Sequence, residues 1–415
     1  MTKKEKRIAI IGAGGLGVCT ALELSKRGYK VEIFEEHHTP IQKASYANEG
    51  KIHVGFIFAM DRSFQTAKKM LDGAIHFMDY IQRWADIDPE ECISTPFYYL
   101  VHKESLLNAE QLNQHYQKCA DYFAELHSKT QKKYLGIFDD LEASLLPRNQ
   151  MEGIGNPEFI DDVFKTSEYS LEPRYVAQKL TEALMDDPNL TVHLSTKVLG
   201  VSEKENGFKI KFEQEGEIYS ETFDEVVNTA WNGLLEIDRT MGIEPIGEWS
   251  HRYKFGNKIL IPLEDSDLPS ATMVLGPFGD TVNFRDKGAF CSWYPIGRTG
   301  WSTDYRAPEW DSMYSEQQRM KVFKDSFEEL KRRIPSLERL NFPIETVDPV
   351  GGVILALGNS DVDVEKSRLH DRFEIGLRSF GKYHTIDTGK YTLIPFLAME
   401  VADRVAGKKE AYALS

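Results

Sequence analysis

Lys6-Arg7-Ile8-Ala9-Ile10-Ile11-Gly12-Ala13-Gly14-Gly15-Leu16-Gly17 is the stretch that decides the fold. Residues 6–12 form a short apolar run, the pattern of a strand buried on both faces. Residues 15–27 then place apolar side chains at helical spacing, and Gly28 suits the left-handed turn that ends a helix. Residues 30–35, KVEIFE, read as a second strand. Strand, glycine turn, helix and strand in that order open a dinucleotide-binding domain. The glycines match G-x-G-x-x-G in the context that gives the motif its weight. Gly12 makes the tight turn and Gly14 lets the backbone approach a pyrophosphate. Gly15 and Leu16 begin the helix whose free N–H groups face it, and Gly17 lets helix and sheet pack closely. An acid at the end of the second strand completes the pattern by hydrogen-bonding ribose hydroxyls. Glu35 stands 23 residues after Gly12, with Glu36 as the alternative. Negative charge there disfavours the 2′-phosphate of NADP, but the fingerprint leaves NAD and FAD open.

The 415 residues carry 50 Lys and Arg against 65 Asp and Glu, a formal charge of -15, which argues against nucleic acid as a partner. An anionic small substrate stays possible, because a pocket can be basic on an acidic protein. Hydrophobic residues make up 41% of the chain, as in a folded globular protein. Cys19, Cys92, Cys119 and Cys291 are scattered, without metal or disulfide spacing, and read as free thiols in a reducing compartment. The basic N-terminus before residues 8–11 imitates a signal peptide, but Glu23 and Lys26 break its apolar core. No apolar run reaches the roughly 18 residues of a spanning helix. The expected location is cytoplasmic.

Further along, helices are expected at 64–84, 109–127, 173–186, 315–333 and about 391–406. Strands are expected at 97–101, 190–194, 207–213, 217–223, 225–230, 257–262, 272–276, 288–295 and 372–378. Residues 225–230 have the apolar character of a parallel strand returning to the first sheet.

The segment Ser45-Tyr46-Ala47-Asn48-Glu49-Gly50 resembles the Ser-x-x-Asn-x-Gly block of the D-amino-acid oxidase-like superfamily of FAD enzymes, which includes glycine and sarcosine oxidases. The longer stretch NEGKIHVGFIFAMDRS, residues 48–63, resembles the matching stretch of L-2-hydroxyglutarate dehydrogenases. Leu171-Glu172-Pro173-Arg174, Thr191 to Val198, VVNTAW at 226–231 and Gly389-Lys390-Tyr391-Thr392 resemble further blocks of that superfamily. Two departures stand out: Lys390 replaces a small residue or His, and Trp231 replaces a glycine.

The resemblance implies an α/β protein with a Rossmann-type, glutathione-reductase-like FAD-binding domain. This is intertwined with an α+β substrate domain on a mostly antiparallel sheet. The expected division gives residues 1–57, 151–239 and 351–415 to the first domain, and 58–150 and 240–350 to the second. FAD is expected to be bound non-covalently, because no cysteine matches an attachment site. Ser45, Asn48, Gly50, Val198, Gly389, Lys390, Tyr391 and Thr392 join Gly12, Gly14, Gly15, Leu16, Gly17, Glu35 and Glu36 as cofactor-binding candidates.

The implied chemistry is hydride transfer to FAD from a carbon bearing an amine or hydroxyl, on a small amine, amino acid or 2-hydroxy acid. His53 is the candidate base, since imidazole titrates near neutrality, and Lys51 is a second candidate at that site. Lys390 is expected to supply positive charge to the reduced flavin. Arg298 is the candidate clamp for a substrate carboxylate. His37 and His38 read as loop residues, Asp361, Asp363 and Glu365 as a solvated segment, and no metal site is expected. Two other readings stay open: an NAD-dependent dehydrogenase, and a non-catalytic nucleotide-binding protein on the same fold. The oligomeric state is not legible.

Overall fold

The computed structural model describes residues 6–263 and 266–408. Residues 1–5 and 409–415, the outer ends of the expected first domain, lie outside the described residues.

A six-stranded sheet forms around Arg7–Ile11. That strand pairs in parallel with Lys30–Phe34 on one side and Glu225–Asn228 on the other. Leu190–His193 and Tyr383–Asp387 extend the sheet in parallel, and Gly376–Phe380 closes one edge as an antiparallel hairpin arm. Ile8, Ala9, Ile10, Val31, Ile33, Val226 and Val227 are all buried, as a sheet covered on both faces requires. Helices Gly15–Lys26, Pro173–Asp186 and Ile394–Val405 contribute to the core on one face, together with Gln65–Ile81. An antiparallel sheet of Thr196–Lys204, Gly207–Gln214 and Glu217–Phe223 covers the other. In its middle strand Phe208, Ile210 and Phe212 point inward while Lys209, Lys211 and Glu213 are exposed, the two-residue period of a half-buried strand. The helix Gly15–Lys26 ends as its sequence predicts. Gly28 takes φ 82° and its N–H donates to Ser25 O at 2.8 Å, while Tyr29 N donates to Leu24 O at 3.1 Å.

A second, larger sheet of nine strands faces the first. It runs Arg298–Ser302, Trp249–Ile259, Ala289–Trp293, Gly279–Asn283, Ser270–Met273, Phe97–His102, Ile160–Thr166 and Ala143–Leu145. Val347–Leu357 pairs along Trp249–Ile259. Only Ser270–Met273 and Phe97–His102 pair in parallel. Helix Glu316–Arg333 buries Phe323, Phe327 and Leu330 in the core of this sheet.

The expected division is crossed twice. Ile160–Thr166 and most of Val347–Leu357 were placed with the nucleotide fold but pair within the large sheet. Acidic Asp161 and Asp162 hide the alternation of the first. Pro349, Gly351 and Gly352 imitate breakers in the second, yet a Cβ on Gly351 would meet the Tyr253 hydroxyl at 2.0 Å, so the glycine is needed for packing inside a strand. The strand expected at 257–262 begins at Trp249 and ends at Ile259. The strand expected at 372–378 starts only at Gly376, because residues 373–374 form a turn and Gly376 takes φ 127°.

The approach of the first helix to its strand fixes a stability expectation. A Cβ on Gly17 would lie 1.9 Å from Gly12 O and 2.7 Å from Thr229 Oγ1, both rigidly placed. Gly17→Ala is expected to cost at least the roughly 1–3 kcal/mol of an overpacked core. Urea unfolding of the two proteins side by side checks this, and equal midpoints would contradict it.

Candidate functional site

The two sheets enclose a cavity of about 450 Å³ that runs from the glycine turn to a cluster of charged side chains under the large sheet. Gly12, Gly14, Gly15, Leu16, Glu35, Glu36, Ser45, Asn48 and Val198 line its first part. Gly14 precedes the helix in an extended conformation, φ -70° and ψ 179°, and the first turn carries no acid. A Cβ on Gly14 would find only Ser45 Oγ, at 3.8 Å, so the space this glycine leaves belongs to the cavity. Free N–H groups and the positive end of the helix dipole therefore face an open volume, the arrangement that holds a pyrophosphate. Ser45 Oγ accepts from Gly15 N at 3.1 Å and ties the following loop to the helix start.

Glu35 is buried. Its carboxylate accepts from Ala13 N at 2.8 Å and His37 N at 3.0 Å. Burial pushes its pKa up, against these two bonds. A carboxylate has about four acceptor positions, so lone pairs remain for ribose hydroxyls. Glu36 also lines the cavity, but its carboxylate is held by Arg306 at 2.6 Å.

The far part of the cavity is built by five segments. Lys51–Ile52 pairs with Tyr169–Ser170 and presents Lys51 and His53. Along Trp249–Ile259, Arg252, Lys254 and Gly256 face the cavity while Tyr253 and Phe255 enter a hydrophobic cluster. Asp280 lies on Gly279–Asn283, two strands away in the same sheet, and Arg372 and Lys390 come from the two loops that flank the edge hairpin.

Charge organises this end. Lys51 Nζ contacts Thr272 Oγ1 and lies 3.3 Å from Asp280 Oδ1, which also accepts from Thr272 at 2.7 Å. Burial pushes the Asp280 pKa up, but Lys51 and Lys254 outweigh it and bring the carboxyl down to about 2. Lys390 is lowered to about 8, first by burial and then by Arg372. Arg372 is lowered to about 10 by burial, with Arg252 adding to the effect. Arg252 is 2% exposed; it donates to Ser250 Oγ at 3.0 Å and Ser360 O at 3.1 Å and lies over the Trp301 ring, while its buried Nε has no hydrogen-bond partner among the described residues. Arg372 Nε donates to Leu369 O at 3.2 Å. Among the described residues no carboxylate forms an ion pair with Arg252, Arg372 or Lys390. Two buried guanidinium groups and a half-buried ammonium of this kind favour an anion in the space between them.

Four residues expected at the cofactor or substrate do not line the cavity. Arg298 turns to Asp361, 3.1 Å from Nε to Oδ2, so of the segment expected to be solvated Asp361 is held while Asp363 and Glu365 are exposed. Gly17 packs against Gly12 and Thr229. Gly50 takes φ 67° where a Cβ would meet Leu171 O at 1.9 Å. Thr392 Oγ1 accepts from His53 N at 2.8 Å and so joins the last loop to the His53 segment. Asn48 braces the same turn, donating to Ala44 O and Ser45 O at 2.9 Å and accepting from Gly50 N at 2.6 Å. Gly389, Lys390 and Tyr391 do line the cavity. The sequence reading missed Arg252, Lys254, Asp280 and Arg372. For the first two, a signal was present: two basic residues two apart, each flanked by aromatics, within a strand whose start was misplaced. Trp231 takes φ 29°, keeping a nearly glycine-like backbone, and its Nε1 donates to Val353 O at 2.8 Å.

A family model described as DAO, FAD dependent oxidoreductase, matches residues 7–252. Glycerol 3-phosphate oxidase of Mycoplasma pneumoniae is 26% identical over 210 residues, 49% of this chain and 43% of that protein. The chain thus aligns with under half the length of that relative. Two solved structures share the fold. L-α-glycerophosphate oxidase from Mycoplasma pneumoniae with FAD bound has a TM-score of 0.66 at 15% identity, covering 99% of this chain and 97% of the other. Glycine oxidase from Geobacillus kaustophilus has a TM-score of 0.67 at 13% identity, covering 99% and 97%.

The glycine turn separates folding from cofactor binding. Gly14→Val is expected to fold with near-normal stability and to purify without FAD, because its side chain enters the cavity and no protein atom. Glu35→Ala is expected to weaken FAD binding by about 1.5–3 kcal/mol, the worth of hydrogen bonds to a charged group. Flavin content per folded protein measures both, and a fully loaded Gly14→Val protein would contradict the assignment.

Proposed function

The chain belongs to the DAO family of FAD-dependent oxidoreductases, and on that premise we propose that it oxidises a small molecule bearing an anionic group, at a carbon that carries an amine or a hydroxyl. FAD supplies the acceptor for the two electrons; the chain supplies binding, orientation and electrostatics. The observation that carries this reading is a single cavity joining the Gly14 helix start to the Arg252, Arg372 and Lys390 cluster.

In this reading Gly12 to Leu16 receive the pyrophosphate, Glu35 the ribose and Val198 the adenine side. Lys390 holds positive charge at the pyrimidine end of the ring. Arg252 and Arg372 take the role first expected of Arg298 and hold the anionic group of the substrate. His53 removes a proton. Burial, then Lys390, lowers its pKa, so the ring is neutral and able to accept one near pH 7. FAD is held without a covalent bond; among the described residues no cysteine lines the cavity. The four thiols are buried and unpaired, in keeping with a reducing, cytoplasmic setting.

The purified protein is expected to be yellow, with an absorption band near ~450 nm from the flavin, and to release all of it on acid precipitation. Flavin left on the pellet would overturn the non-covalent assignment. Anaerobic mixing with amino acids, N-methyl amines and 2-hydroxy acids is expected to bleach that band only for compounds with a carboxylate or phosphate. Bleaching by neutral analogues at equal rates would remove the anion requirement. A colourless protein that binds NAD would favour the dehydrogenase reading.

His53→Asn is expected to keep FAD and to slow its reduction by roughly 10²–10⁴-fold, the span of a lost general base. Lys390→Met is expected to lower the reduction potential, because negative charge gained on reduction loses its counter-charge. Stopped-flow reduction and a redox titration read the two effects separately. An unchanged rate or an unchanged potential would remove the corresponding role.

A further inference from the structure

Glu168 is a buried carboxylate set behind His53. We propose that it holds the imidazole in the tautomer that accepts a hydroxyl proton, and that the substrate is therefore an alcohol bearing the anionic group rather than an amine. This rests on the oxidoreductase reading above and narrows it.

The pairing follows from strand register. Lys51 lies opposite Ser170 and Ile52 opposite Tyr169. One further step sets His53 opposite Glu168. Glu168 is fully buried and does not line the cavity. Its Oε2 accepts from Val54 N at 2.8 Å, and its Oε1 accepts from the Tyr99 hydroxyl and lies 3.6 Å from His53 Nδ1. His53 Nδ1 is buried with no hydrogen-bond partner among the described residues. A proton on Nδ1 therefore has one acceptor to approach, and such contacts shorten when the reacting complex forms. Nε2 makes no hydrogen bond among the described residues, and His53 lines the cavity. The backbone bond to Thr392 and the edge of Phe58, with ring centroids 5.4 Å apart, fix the imidazole in place.

The charges around the pair are few. Lys390 and Lys51 oppose protonation of His53, and Glu168 favours it. Tyr99, Tyr116, Tyr134 and Cys119 surround the carboxylate, and its negative charge helps hold all four neutral. Burial raises the Glu168 pKa, but His53, Lys51 and Tyr99 outweigh it and keep the group ionised. No lysine or arginine forms an ion pair with Glu168 among the described residues. Its charge is thus available to an imidazolium forming 3.6 Å away.

An alcohol needs this arrangement and an amine does not. The hydroxyl keeps its proton at neutral pH, so the O–H bond must break as the C–H bond does. The hydroxyl proton passes to His53 Nε2. The carbon's hydrogen leaves with its electron pair to FAD, and the C–O bond becomes a carbonyl. An ammonium loses its extra proton to water before reaction, and the free amine then gives up the hydride without a base. Glu168 is a positioning residue here, because it touches His53 and not the substrate.

Two measurements on the FAD-loaded protein test the proposal. In protein with ¹⁵N-labelled histidine, the His53 signal, identified by its loss in His53→Asn, is expected to report an Nδ1–H tautomer. Glu168→Gln should remove that preference. In anaerobic stopped-flow with 2-hydroxy and 2-amino acids of matched chains, the hydroxy acids should reduce the flavin and the amino acids should not. Glu168→Gln should slow reduction by on the order of 10–10²-fold, a part of the general-base span, with KM little changed. Its rate inflection should move to lower pH, since an imidazolium without its counter-charge loses its proton more easily. Glu168→Asp, which keeps the charge, should retain the wild-type inflection, and a purely structural role would not distinguish the two variants. An Nε2–H tautomer in the wild type, or the same inflection in Glu168→Gln, would overturn the pair. Reduction by amino acids alone would overturn the alcohol assignment and leave the oxidoreductase reading standing. Reduction by neither class, nor by hydroxyalkyl phosphates or N-methyl amino acids in the same assay, would overturn both.

Discussion

The contact between Gly17 and the carbonyl of Gly12 is the constraint on which the rest of the molecule depends. It exists only because Gly17 has no side chain, while a Cβ on Gly12 would meet Ala230 Cα at 2.9 Å. Thr229 locks it from the third strand, its hydroxyl reaching Ile11 O at 2.8 Å and Gly12 O at 2.9 Å. Strand, turn, helix and the returning strand thereby become one rigid corner. That corner sets the direction of the helix and so the point in space to which its free N–H groups and dipole are aimed. The C-terminal helix then packs on the first one, with Ile394 only 3.0 Å from where a Gly15 Cβ would be. This brings the Gly389–Tyr391 loop into the same cavity as the glycine turn, almost the whole chain away in sequence.

From that corner outward, the molecule exchanges backbone positioning for side-chain charge. At the nucleotide end the glycine turn and helix start face the cavity, braced by Ser45, Asn48 and Glu35. At the substrate end they are Lys51, Lys254, Arg252, Arg372 and Lys390, with Asp280 and Glu49 as counter-charges. The lysine lowered to about 8 and the arginine lowered to about 10 show what the burial of like charges costs. A fold does not keep such groups for stability, since apolar side chains of similar volume would serve it as well or better. In the proposed reading, an anionic substrate would offset their cost.

Much of the fold was legible because its elements are local. The βαβ opening, the Pro173–Asp186 helix with Pro173 at its first position, and the alternating Phe208, Ile210 and Phe212 each carry their signal within a few residues. The candidate site was legible only where a motif is contiguous. Gly12 to Gly17, Glu35 and the GKIH run containing Lys51 and His53 could be placed from sequence. Asp280 and Arg372 could not, because they are brought to the Arg252 strand by pairing across the large sheet and by a loop beside the edge hairpin of the six-stranded sheet. Arg298 shows the converse. Its flanking aromatics gave it the look of a clamp, but its strand register and Asp361 turn the guanidinium away. Glu168 had no sequence signal at all: an acid between Ser167 and Tyr169 gains meaning only from the two-residue ladder that sets it across from His53.

The balance of charge separates what the protein attracts at long range from what it holds at short range. With a formal charge of -15, the molecule as a whole repels anions. That field is screened over about 8–10 Å at physiological ionic strength, so it does little to a small ligand that has reached the mouth of the cavity. Inside, burial reduces that screening, and Arg252, Arg372 and Lys390 stand beyond ion-pair distance of any carboxylate among the described residues. Trp231 strengthens this separation. Its side chain seals part of the wall by bonding to Val353, at the cost of a backbone angle that a glycine would adopt freely. This end of the cavity is thus basic on an acidic protein, and the proposed recognition of a small anion rests on that contrast, without an electrostatic field that would draw in polyanions.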